Sequence, residues 1–439
     1  MIDKKGVERM MKKSLGLLAI GLSGLLLGAC GGGSNPNEIT FWNPFTGPDG
    51  ENMQRIIDEY NNTDPEYPIN NISMAADDMY SRIPTVVNSG SGIPDLNIIH
   101  AERIVQFRDA NLLVPFDEHL NNFDGITADN YVPEAWDIGE IDGERLALPL
   151  DIHTFVMYYN PTLVEQYGPD ILDDGVITFD EIREVSERAA EDGITGMGLT
   201  WMRPAFLSVM AQHGGEITVD GQNPTLNTQE SLDTLELYID LYEDGITNEE
   251  GTDPLQMFLS DELVFFPEGI WMQNEMLNAE FDYGLTHFPQ ISEDIDSVVN
   301  WASSHQFVMF ENEDRDEEKT QGVIEFIDWL RDNSIEWARA GQIPATLQLL
   351  EDGEYQDMPQ SYFVESEENQ ASMRIFEYKY NGFVAEWLDA NVFDVIFGRV
   401  DPEDAVEDMQ REVQDMIDQD STGLEGSLGD AEEETEEAE

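Results

Sequence analysis

The chain has 439 residues, with 92 acidic against 21 basic side chains and a net charge of −71 at neutral pH. Charge of that sign and size repels phosphate polymers and anionic lipid, which excludes nucleic acid as a partner. An apolar content of 41% with 10% aromatic residues is enough to bury a core, so the acidity does not signal disorder.

The first segment with a pattern runs to residue 30. Lys12-Lys13 precede an apolar run from Leu15 to Leu27, and the run ends in Leu27-Gly28-Ala29-Cys30. A basic patch, a short apolar stretch and a small-residue cleavage site predict a secretory signal over residues 1–29. The run is too short and wrongly flanked for a membrane span. Met10 and Met11 are alternative starts, because residues 1–9 add nothing that a signal requires. Cys30 is the only cysteine, so the chain has no disulfide framework. Gly31-Gly32-Gly33-Ser34 follows it, and residues 30–37 read as a flexible tether. Of six lysines, only Lys319 and Lys379 lie beyond this segment. Self-repulsion on that scale is relieved where salt shortens the Debye length, which points to a halophilic or alkaliphilic setting.

Glu38 to Trp42 alternates apolar and polar and predicts a strand. Met53, Ile56, Ile57 and Tyr60 at helical spacing predict a helix after it. Ile69 to Met74 alternates again. Ile83, Val86 and Val87 mark a second helix, which Gly90 and Gly92 stop. Pro94 to Ile99 predicts a buried strand, and Phe155 to Tyr159 another. Alternating strands and helices imply an α/β layer with parallel strands. Thr178 and Glu181 form a capping box for a helix to Asp192. Further helices are predicted through Leu232, Leu235, Ile239 and Tyr242, over Val323 to Leu330, and over Val406 to Ile417. Length beyond the signal allows two to three domain-sized units, and no internal repeat is present. Ser421 to Glu439 lacks apolar periodicity and is expected to be an acidic disordered tail.

Two weaker signals are set aside. Asp170 to Glu181 matches an EF-hand loop at several positions, but Leu172 falls where an oxygen ligand is needed. The six histidines, at 100, 119, 153, 213, 287 and 305, show no metal-ligand spacing. No metal and no cofactor is therefore expected. Neither Gly-x-Ser-x-Gly nor a phosphate loop occurs, so catalysis finds little support.

Several segments carry a resemblance. Leu27-Gly28-Ala29-Cys30 resembles a bacterial lipobox. Phe41 to Pro48, Ser89 to Leu96, Leu148-Pro149-Leu150-Asp151-Ile152-His153 leading into Tyr158-Tyr159-Asn160, Phe266 to Met272, Trp301 to His305, and Gly341 to Ala345 resemble, in order, family 1 extracellular solute-binding proteins of the maltose-binding-protein type. The resemblance spans residues 38 to 420. It implies an α/β, two-lobe periplasmic-binding-protein fold (type II), with three crossover segments and a ligand cleft between the lobes. The lobes would be 38–150 plus 306–343 and 151–303 plus 345–420, with crossings near 149–152, 301–306 and 342–346. It also implies a monomer that captures a neutral mono- or oligosaccharide and delivers it to ABC transporter permease subunits. Cys30 would carry lipid and hold the protein at the outer face of the cell membrane. A secreted carbohydrate-active enzyme and a non-transport surface lipoprotein are the alternatives.

Sugars need aromatic rings for their C–H faces and planar polar groups for their hydroxyls. The resemblance puts such residues at cleft positions: Trp42, Asn43 and Thr46 beyond the first strand, Tyr80 after the second, Glu102 after the third, and Asp151 and His153 at the first crossing. Trp201, Trp271 and Trp301 are the candidates for stacking. His305 and Gln342 would donate from the later crossings. An acidic cleft disfavours anionic sugars unless an arginine such as Arg203 faces the ligand.

Overall fold

Three parallel strands begin the fold. They are β1 (Ile39–Asn43), β2 (Ile69–Ser73) and β3 (Leu96–His100), with β1 between the other two. The connecting helices are Gly47–Asn61 and Ala76–Ser89. The first buries the predicted stripe, Met53, Ile56, Ile57 and Tyr60. The second stops where Gly90 takes a left-handed conformation, φ 62°, which an L side chain adopts only at a cost.

The computed structural model describes residues 37–173, 175–276, 279–292 and 298–436, with side chains to residue 419. The signal, the lipobox and Cys30 lie outside the described residues, as do Asp174 of the set-aside calcium loop and residues 437–439. Residues Ile39–Glu439 form one unit.

Next come β4 (Leu113–Val114), the hairpin of β5 (Glu140–Ile141) and β6 (Glu144–Arg145), and β7 (Leu148–Pro149). A second sheet starts with β8 (Asp151–Tyr159) and continues with β9 (Thr195–Met197), β10 (Leu263–Gly269), β11 (Gly284–His287) and β12 (Asn300–Ser303). Then β13 (His305–Phe310) returns to the first sheet. Finally β14 (Ile343–Pro344) and β15 (Met373–Ile375) join the second.

The first sheet runs β2-β1-β3-β13-β4, with β7 also on β13. The second runs β15-β12-β8-β10-β9, with β11 and β14 also on β8. Both are mixed rather than purely parallel, because β13 lies antiparallel to β3 and β8 antiparallel to all its partners. Strand β8 is buried from Asp151 to Tyr158, so it carries no alternation to read.

The chain passes between the sheets three times. Leu150 separates β7 from β8, and Ser304 separates β12 from β13. The third passage follows the helix Ile335–Arg339, whose Trp337 ring lies 4.5 Å from Phe45, and ends in β14 on β8. These positions are the expected crossings.

Helices dominate the second half. Phe179–Ala190 opens with the predicted capping box, Thr178 and Glu181 bonding each other's backbone N–H. Glu317–Asn333 follows the predicted stripe. Gln229–Glu243 forms where expected, but its buried face is Ser231, Thr234, Leu235, Tyr238 and Leu241, and the predicted Leu232, Ile239 and Tyr242 are only partly buried. The last helix, Pro402–Glu436, corrects the expectation of a disordered tail from 421. Its first part is anchored by buried Ala405, Val406, Met409, Val413 and Ile417. Beyond them the helix passes Gly423, Gly426 and Gly429, which intrinsic propensity disfavours, and ends in a Glu-rich stretch, which it favours. Among the described residues no helix is long and apolar enough to cross a membrane.

Candidate functional site

Ligand sites in open α/β sheets gather beyond the carboxyl ends of parallel strands. Here β1, β2 and β3 end at Asn43, Ser73 and His100, and a cavity of about 950 Å3 opens beyond them. Phe45, Thr46 and Asp49 reach it after β1, Tyr80 after β2, and His100, Glu102 and Arg103 after β3. The facing elements contribute His153 from β8, Trp301 from β12, Trp201 and Arg203 from the start of the helix Met202–Gln212, and Trp271 from beyond β10. His305 and Gln342 come from the later passages between sheets, and Glu386 and Asp389 from the helix Asn381–Ile396.

Nine of the twelve expected contact residues therefore meet at one cavity: Thr46, Tyr80, Glu102, His153, Trp201, Trp271, Trp301, His305 and Gln342. Three do not reach it. Trp42 faces the other side of β1, packed with Met79, Ile83 and Ile99, because side chains alternate along a strand. Asn43 is fully buried and bonds Asn71, Ser73 and the Phe45 N–H, which fixes the turn that aims Phe45 at the cavity. Asp151 is also fully buried and acts from behind the wall.

The Asp151 carboxylate is a hub. It accepts from the His305 N–H at 3.0 Å and the Trp337 indole N–H at 2.6 Å. It also pairs with Nδ1 of His305 at 2.7 Å and of His153 at 3.3 Å. Burial alone would raise its pKa, but His305 and the bonds from both histidines hold it well below the carboxylate range. Both imidazoles are thereby fixed in orientation.

Tryptophan supplies the apolar part. Trp201 meets Trp271 and Trp301 edge to face, with centroids 5.7 and 5.4 Å apart, and the His153 ring lies 5.6 Å from Trp271 and 5.9 Å from Trp301. Arg203 stacks on Trp201 at 4.4 Å, and Asp389 accepts the Trp201 indole N–H at 2.9 Å. Trp301 is buried, whereas Trp201 and Trp271 are half-buried. Gly269 permits the placement of Trp271, since a Cβ there would fall 2.0 Å from its ring.

Polar groups complete the lining. The Tyr80 hydroxyl oxygen accepts from the His100 N–H at 3.0 Å and also bonds its Nδ1. Glu102 accepts from the Ser303 hydroxyl at 2.7 Å. Burial opposes its charge, but neighbouring His100 and Arg203 and the Ser303 bond hold it down at about 2. Burial pushes His100 down to about 3 and lowers His153 as well. Asp49 is driven the other way, up to about 7 by burial, and accepts from the Gln342 amide at 3.2 Å. Oδ1 of Asp49 and Oε1 of Gln342 have no hydrogen-bond partner among the described residues. Unsatisfied acceptors at a cavity suit a hydroxylated ligand.

Sequence reasoning missed Phe45, Asp49, His100, Arg103 and Asp389. His100 was accessible in principle, as the last residue of a buried strand that feeds the site. Asp389 lies on a helix far along the chain and carried no signal. Arg203 does face the cavity, as the exception to a purely acidic lining required.

The model of a family described as bacterial extracellular solute-binding protein matches residues 55–363. An arabinooligosaccharide-binding protein of Halalkalibacterium halodurans is 27% identical over 212 residues, 46% of this chain and 45% of the relative. A maltotriose-binding protein of Pyrococcus abyssi is 24% identical over 269 residues, 60% of this chain and 55% of the relative. The chain thus spans about half the length of these curated relatives. Among solved structures, an ABC substrate-binding protein of Listeria monocytogenes in complex with cycloalternan superposes with a TM-score of 0.74 at 17% identity, covering 87% of this chain and 98% of that one. The fold is the two-lobe periplasmic-binding-protein type.

Proposed function

Because the chain belongs to the family of bacterial extracellular solute-binding proteins, we propose that it is the carbohydrate-binding component of an ABC importer. It captures a neutral mono- or oligosaccharide in the cavity and delivers it to the membrane permease. The observation that carries this reading is the three-tryptophan cluster around His153, set against the free acceptors of Asp49 and Gln342. Rings for C–H faces and planar groups for hydroxyls are what sugar recognition needs. The ligands in the names of the two relatives, an arabinooligosaccharide and maltotriose, support the same class.

The lobes in this reading are 38–150 plus 306–343 and 151–303 plus 345–420. A sugar touching Tyr80 and Glu102 on one and Trp201 and Trp271 on the other binds the closed form more tightly, and that difference shifts the population toward closure. Thermal shift across a panel of sugars, followed by chromatography of the sugar, is the test. Stabilisation with the sugar unchanged is expected. A converted sugar points to an enzyme, and no shift with any sugar removes the reading. Small-angle scattering should give a smaller radius of gyration with a stabilising sugar.

Cys30 in this reading is lipidated and anchors a monomer to the outer face of the cell membrane. Stable anchoring takes more than one acyl chain. Cys30→Ser should release the protein or leave it unprocessed, and membrane retention of a processed form would reject the anchor. The net charge of −71 belongs to a saline or alkaline habitat. Urea unfolding should then show stability rising with NaCl.

A further inference from the structure

Three imidazoles meet at the cavity, although no sequence spacing announces them. One ring nitrogen each of His100, His153 and His305 lies within 4.8 Å of one from each of the others. The ring centroids are 4.3 Å apart for His153 and His305, 4.9 Å for His100 and His305, and 5.8 Å for His100 and His153. In all three rings Nδ1 is already engaged, with the Tyr80 hydroxyl for His100 and with the Asp151 carboxylate for the other two. None of the three Nε2 atoms makes a hydrogen bond to the described residues.

We propose that His100, His153 and His305 form a binding site for a divalent transition-metal ion of the zinc class, with a fourth coordination position open to the cavity. Imidazole nitrogens are the ligand type such ions prefer, and three protein ligands with one open position are the arrangement of accessible zinc sites. The second shell is in place as well: metal-bound histidines hand their other ring nitrogen to a carboxylate or another oxygen, and Asp151 and Tyr80 supply those oxygens. Zn–N bonds of about 2.0–2.1 Å in tetrahedral geometry put the nitrogens about 3.3 Å apart, so the rings must draw together to hold an ion. The cavity that all three residues line is the entry path. His100 and His305 belong to the first sheet and His153 to the second, so the ion ties the two sheets together beside the passages at Leu150 and Ser304.

A surface with 92 acidic residues binds cations loosely everywhere, so the test must discriminate. The full chain, without sugar and with excess Mg2+ and NaCl to occupy surface carboxylates, is titrated with Co(II) and then Zn(II). One equivalent of Co(II) should give the intense ligand-field absorption of a low-coordinate ion, and Zn(II) should bleach it. His153→Ala and the milder His305→Gln should each weaken binding by roughly 100-fold or more. Weak absorption that Mg2+ abolishes, or equal binding by folded variants, overturns the proposal. Should the variants not fold, X-ray absorption at the zinc edge of the unmutated protein decides. A shell of about three imidazoles supports the site, and a shell of carboxylate oxygens alone overturns it. The inference does not depend on a sugar ligand. A metal response with no sugar response retires the proposed function and leaves the site, and the converse does the reverse.

Discussion

The two sides of the cavity are built on different principles. The elements of the second sheet supply rings: Trp201, in edge contact with both Trp271 and Trp301. The polar side is a network in which first-sheet elements are tied to the strands that cross from the second: Tyr80 on His100, Ser303 of β12 on Glu102, Asp49 on Gln342, and Asp151 of β8 behind His153 and His305. Rings bring area and little directional demand, so they hold a ligand without selecting it. A buried polar network brings direction, and each member left unsatisfied costs stability, so such a side must be rigid to be useful. Affinity should therefore reside on the aromatic side, and stability and ligand choice on the polar one.

The largest effect should follow from removing the hub of the polar side. Asp151→Ala leaves the Trp337 indole, the His305 N–H and two imidazoles without their acceptor. Breaking a buried charged centre of this kind costs about 3–5 kcal/mol. Urea unfolding measures it. A loss below about 1 kcal/mol would mean that the polar side is not held from behind, and the contrast would fail.

Glu268 tests the aromatic side by pH. It sits on β10, three residues before Trp271, and burial pushes its carboxyl up to about 7, while it accepts the Gly269 N–H at 2.9 Å. An acid with a raised folded pKa keeps its proton after the unfolded chain has lost it. Stability therefore falls as pH rises from the unfolded value of 4.5 to about 7, and stays at the lower level above that. Glu268→Gln removes the penalty. The variant should match the parent below pH 4 and gain up to about 3 kcal/mol above pH 7. A gain that does not depend on pH would assign the effect to packing instead.

Trp271→Ala addresses ligand affinity directly. Losing a partly buried ring platform should weaken sugar binding by about 1–3 kcal/mol, or about 5- to 150-fold, by calorimetry. An unchanged dissociation constant with an intact fold would return Trp271 to the core and leave the aromatic side without its role.

The same contrast explains what could be read in advance. Strands and helices with one buried face announced themselves, as Met53, Ile56, Ile57 and Tyr60 did in the helix Gly47–Asn61. The tryptophans were legible because few residue types offer a ring of that size. Trp42 misled because proximity to a strand end does not say which face a side chain takes, and alternation put it under the helix Ala76–Ser89. The histidine group was illegible for a stronger reason. Its members lie far apart in sequence, and only the β3–β13 pairing and the turn at Leu150 bring them together. Long-range convergence leaves no local period.

Tyr80 should give the smallest effect and the sharpest reading of the polar side. Its hydroxyl is committed to the N–H and Nδ1 of His100, and Arg103 covers its ring at 4.9 Å. A hydroxyl engaged in this way positions His100 and leaves the ring as the part of Tyr80 that a sugar touches. Tyr80→Phe keeps the ring and the cation contact and deletes only the hydroxyl. One neutral hydrogen-bonding group of this kind contributes about 0.5–1.5 kcal/mol. Stability should fall by that amount, because the His100 N–H loses its acceptor. Sugar affinity should change by no more than about 3-fold, because the ligand loses no direct contact. Both quantities come from one variant, by urea unfolding and calorimetry. Affinity falling with stability intact would make the Tyr80 hydroxyl a direct ligand contact, and the polar side would then bind as well as orient.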